Sequence, residues 1–70
     1  MIQITAPLQG DKIKELIDGL GEFTFISKAG IKMLFETKIE DKHVAARQAR
    51  EIIKKQDWGS VLYFQSEAVN

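Results

Sequence analysis

Twice along this chain the apolar residues switch from a spacing of two to a spacing of three and four, and those switches limit the folds open to it. In MIQITAPL, Ile2, Ile4 and Ala6 alternate with Gln3 and Thr5, the pattern of a half-buried strand that Pro7 ends. GDKIKELIDGLG then repeats Ile13, Leu16, Ile17 and Leu20 at helical intervals, with Asp11 placed to cap the helix and Gly21 to close it. Alternation returns in EFTFISKA, with Phe23, Phe25 and Ser27 set against Thr24, Ile26 and Lys28. Ala29 and Gly30 supply a turn into IKMLFETKIE, whose Ile31, Met33, Phe35 and Ile39 share a face opposite Lys32, Glu36 and Lys38. The two segments predict a hairpin. A second helix opens near Asp41 and is expected to bury Ala45, Ala49, Ile52 and Ile53, with Val44 and Ala46 at its margins. SVLYFQSE completes the series as a last strand, with Leu62 and Phe64 opposed to Val61, Tyr63 and Gln65.

The order strand, helix, strand, strand, helix, strand predicts an α+β fold and resembles the ferredoxin-like βαββαβ pattern, two helices on one face of a four-stranded antiparallel sheet. An internal echo supports it: FTFISKA at 23–29 lines up with LYFQSEA at 62–68. Two related βαβ halves would place Phe25 and Phe64 toward the helices together. Right-handed crossovers leave the first and third strands central and the other sheet face open. Gln3, Thr5, Ile26, Lys32, Leu34, Glu36, Val61 and Tyr63 are expected to line that face. A fully solvated face needs fewer apolar groups, so Ile26, Leu34 and Tyr63 are candidate contacts with a partner.

Seventy residues make a single domain, 1–70, with a small core and marginal stability. Short chains are commonly reinforced by disulfides, a metal or a second subunit. With no cysteine and one histidine, the first two are closed in their usual forms, and a homodimer is expected. Ten basic and ten acidic residues balance, which argues against attachment to nucleic acid through net charge. No window approaches the roughly 18 apolar residues of a membrane span. The expectation is a cytoplasmic protein without a membrane contact.

Charge is nevertheless sorted locally. At about 100° per residue, His43, Arg47, Arg50 and Lys54 fall on one narrow arc of the second helix, a candidate contact for an anion or for nucleic acid. RNA-binding modules of this strand order stack bases on aromatic residues of the central strands. Here those outward positions are Gln3, Thr5, Lys32, Leu34 and Glu36, so any nucleic-acid contact falls to the helix, through phosphates and without base readout. A third candidate is the loop at Pro7 and Gly10 with Trp58 beyond the second helix, where a ligand could stack. ACT-type regulatory domains, which bind amino acids at subunit interfaces, often carry a Pro-Gly pair in this loop; Pro7 and Gly10 resemble that loosely, with two residues between them, and no family follows from it.

Reactive centres find less support. Metal-carrying domains of this shape need two cysteines in the loop after the first strand, and phosphate-holding enzymes of this shape need an arginine there; APLQGD has neither. His43 has Ala46 and Arg47 one turn away, so it lacks a carboxylate to orient it or a nucleophile to activate. No catalytic residue, cofactor site or metal site is assigned. The reading is a small interaction or regulatory module, homodimeric, that binds a protein or a small molecule; contact with an anion or nucleic acid through the basic helix face is the alternative.

Overall fold

A computed structural model describes residues 1–69. Its elements run β1 (Ile2–Thr5), α1 (Gly10–Asp18), β2 (Phe23–Ala29), β3 (Lys32–Thr37), α2 (Lys42–Lys54) and β4 (Gln65–Ala68). The sheet order is β2-β3-β1-β4, and every neighbouring pair is antiparallel. The fold is therefore α+β, with β1 and β3 central, as the element order required.

Strand and helix periods meet in one core. Ile2 and Ile4 of β1 pair with Phe35 and Met33 of β3, and all four are buried on the same face. Ile13 and Ile17 of α1 and Ala45, Ala49 and Ile53 of α2 close over that face. The three alanines of α2 that are buried, Ala46 included, let the helix backbone approach the sheet. Phe25 meets Phe35 edge to face at 5.7 Å, and Phe64 packs against the same cluster, so the two echoing phenylalanines do face the helices.

Several local expectations are corrected. The first helix starts at Gly10 behind Gln9, whose φ is 62° and whose side chain makes no capping bond. Asp11 lies inside the first turn, where its charge suits the helix dipole, instead of at the cap. In β2 a bulge lies between Phe25 and Ser27, so Ser27 pairs with Leu34 and Lys28 with Met33. The extra residue reverses the alternation from that point, and Ser27 leaves the face that Phe23 and Phe25 share. The hairpin loop is Gly30 and Ile31, with φ of 62° at Gly30, the first position that a type II′ loop gives to glycine. Ile31 is therefore exposed at the loop tip and not in the core. On α2, Ala46 is buried and Ile52 half-buried, because β4 rises against the Ala46 side and its Ser66 hydroxyl donates to the Ala46 carbonyl at 2.8 Å.

The largest difference concerns the last strand. Residues 57–61 form turns, 62–64 are extended without a partner, and pairing with β1 begins at Gln65. Val61 thus sits in a turn and Tyr63 ahead of the sheet, so Val61 does not line the open face.

The second helix opens at Asp41 as expected, and Asp41 caps it, its Oδ1 accepting from the backbone N–H of His43 at 2.9 Å and of Val44 at 3.4 Å. Those donors have no partner within the helix, so Asp41→Ala should cost about 1 kcal/mol. Thermal unfolding followed by circular dichroism should show a fall of roughly 4–8 °C. Asp41→Asn keeps an acceptor and should lose much less; equal losses would remove the cap as the cause.

Candidate functional site

On the open face, register sets the rows. Ser27, Leu34, Gln3 and Glu67 lie across from one another, and Ala29, Lys32, Thr5 and Gln65 form the next row. Leu34 holds the centre, half-buried, with Ile26 beside it at the bulge on the neighbouring strand. Tyr63 is 73% exposed ahead of β4, at the opposite edge. Three interstrand spacings, about 14 Å in all, separate the β2 and β4 axes. The structure accordingly brings Ile26 and Leu34 together and leaves Tyr63 apart, its hydroxyl accepting from the Gln65 amide at 3.5 Å.

His43, Arg47, Arg50 and Lys54 are all exposed along α2. Helix phase decides which flank they occupy: the row begins next to Ala46 and Ile53 on the helix surface, and Ala46 is the residue whose carbonyl takes the Ser66 hydroxyl of β4. The basic row therefore runs along the β4 side of α2. Arg50 is nearest the strand, lining a groove of about 270 Å³ with Phe64, Gln65, Ser66 and Glu67.

The third candidate joins the start of α1 to the turn after α2. Gly10 lies beneath the Lys28 ammonium and the Met33 methyl, with Pro7 exposed ahead of it. Trp58 is half-buried against the core, and the Lys12 ammonium stands 5.8 Å from its ring centroid, within the range of a cation–π contact. Lys12 lies two residues along α1 from Gly10, so Trp58 packs near the start of that helix.

Among the described residues no polar or charged side chain is buried, and no three His, Cys, Asp or Glu side chains gather where a metal could sit. No helix among them is long and apolar enough to cross a membrane. The chemistry this arrangement offers is surface contact: cations beside a sheet edge, and an apolar minority on an uncovered sheet face. Reading the sequence missed the groove between α2 and β4, although its parts were present. The βαββαβ order puts the last strand at an edge, and Arg50 lies one helical turn from Ala46; neither fact points to a groove until both are joined.

Fold and surfaces define a small α+β fold, two helices covering one side of an antiparallel sheet, with exposed features on the sheet face and along one helix. The chain matches no family model, no curated protein and no solved structure.

Proposed function

We propose that this chain is a small cytosolic interaction or regulatory module that works as a homodimer and binds a protein partner or small ligand. The reading is supported by the uncovered sheet face. Leu34 stands half-buried at its centre with exposed Ile26 adjacent, among polar Gln3, Thr5 and Ser27. A second copy placed there would bury these apolar groups and supplement a core too small to be strongly stable.

Light scattering at micromolar concentration should give twice the 7.9 kDa mass of the chain. Leu34→Glu places a charge at the centre of that contact and should return the mass to that of one chain, with circular dichroism unchanged. Tyr63→Glu, at the far edge, should weaken the dimer less. A monomeric parent protein, or a Leu34→Glu variant that stays dimeric, would refute the open-face contact.

A further inference from the structure

The sheet has two free edges, and the fold treats them differently. At β2 the bulge between Phe25 and Ser27 interrupts the ladder, and the Phe25 N–H is taken by the Asp18 carboxylate at 3.3 Å. Bulges and charges of that kind are what keep other chains from pairing with an edge. At β4 the pairing with β1 is regular through Gln65, Ser66, Glu67 and Ala68.

Which β4 groups face outward follows from the ladder. The Val69 N–H donates to the Met1 carbonyl at 3.0 Å, so Val69 belongs to a hydrogen-bonded pair. Antiparallel pairs alternate between bonded and non-bonded positions. Glu67 and Gln65 therefore spend their backbone groups on β1, whereas Ser66 and Ala68 turn theirs to the free edge. That edge forms one wall of the groove, and Arg50 of the basic row forms part of the other.

We infer that the free edge of β4 and the basic flank of α2 together bind an extended acidic peptide, added to the sheet as a fifth strand. Backbone bonds to Ser66 and Ala68 would hold the strand, and alternate side chains would turn toward the helix. On that side they meet Arg50, with His43, Arg47 and Lys54 along the same flank, so carboxylates at every second position fit. Glu67 and Gln65 belong to the open-face rows, so the intervening peptide side chains should be uncharged. A second copy fits poorly here. Pairing β4 with its own twin across a twofold axis would set two basic rows against each other. The inference rests on the interaction-module reading but not on the open-face dimer.

The test uses a labelled, end-blocked ten-residue peptide alternating Glu and Thr, with fluorescence anisotropy for binding and amide hydrogen exchange for position. Saturable binding is expected, with exchange slowed at Ser66 and Ala68. Arg47→Glu with Arg50→Glu, both on exposed residues, should weaken it at least tenfold, and Arg47→Gln with Arg50→Gln should weaken it less. A Lys–Thr peptide should not bind. Leu34→Glu should bind the peptide as the parent does, so failure of the dimer and failure of this site are told apart. No saturable binding, binding that leaves Ser66 and Ala68 exchange unchanged, or tighter binding of a double-stranded DNA of similar charge that the same arginine changes abolish would overturn the inference.

Discussion

Gly59→Ala should cost about 3 kcal/mol or more, placing it among the few substitutions whose mechanism leaves no easy relief. A Cβ at Gly59 would stand 1.8 Å from the Ile53 carbonyl oxygen and 2.8 Å from its carbon. Both are backbone atoms at the end of α2, and that carbonyl already accepts from the Gln56 N–H at 3.1 Å. The obstacle is proximity and not conformation, since Gly59 is not among the residues with positive φ. Nothing there can swing aside as a side chain would; either the turn at 57–61 or the end of the helix must move. At about 0.05–0.15 kcal/mol per residue, a chain this size has only roughly 3.5–10 kcal/mol in total. Urea unfolding should therefore show a midpoint near zero or a melting temperature lowered by roughly 12–24 °C. Gly10→Ala is the matched comparison, since its new methyl would meet only the ends of Lys28 and Met33, at 3.4 and 3.9 Å. With ordinary helical space available, it should stabilise the fold by about 0.4–1 kcal/mol through the unfolded chain. Similar losses at the two glycines would show that close approach is not what Gly59 provides.

Phe35→Ala should cost about 3–5 kcal/mol, the range for deleting a fully buried aromatic side chain and leaving a cavity. Phe35 is 0% exposed, lies between Ile2 on β1 and Phe25 on β2, and meets the Phe25 ring edge to face. Its loss removes one of the buried contacts between the hairpin and β1, beside that of Met33 with Ile4. Phe35→Leu keeps most of the volume and should cost a good deal less. Denaturant melts of the two variants would decide it. An alanine variant within about 1 kcal/mol of the parent would mean that the core collapses around the gap more freely than close packing allows.

Much of this was legible from spacing. The pairs Ile2 and Ile4, Ile13 and Ile17, Met33 and Phe35, and Ala45 and Ala49 all bury as their periods predict, because a period-two or helical stripe can hide its apolar groups in only one way. The start of the second helix near Asp41 was legible too, and the structure adds the cap, whose partners lie two and three residues away. Gly59 was not. In sequence it looks like many glycines that close a helix, and its requirement comes from the Ile53 carbonyl that the returning chain passes over.

The candidate surfaces divide in the same manner. That His43, Arg47, Arg50 and Lys54 share an arc is a property of one helix, fixed by its rise and turn. That this arc borders the free edge of β4 depends on Ser66 reaching Ala46 across twenty residues, and on β4 starting only at Gln65. Likewise Ile26, Leu34 and Tyr63 were grouped by alternation, but the bulge and the unpaired approach to β4 set Tyr63 at the far edge.

The sequence by itself determined which residues are apolar at which interval, and thereby the elements, their order and, up to the bulge in β2, the face each turns inward. The tertiary structure decided the bulge, the late start of β4, the close passage at Gly59 and the alignment of the basic row with an open edge. Hydrophobic periodicity is a sum over neighbours along the chain, whereas these features depend on how segments meet in space, from Gly59 passing Ile53 to Ser66 reaching Ala46, and no periodic pattern contains those meetings.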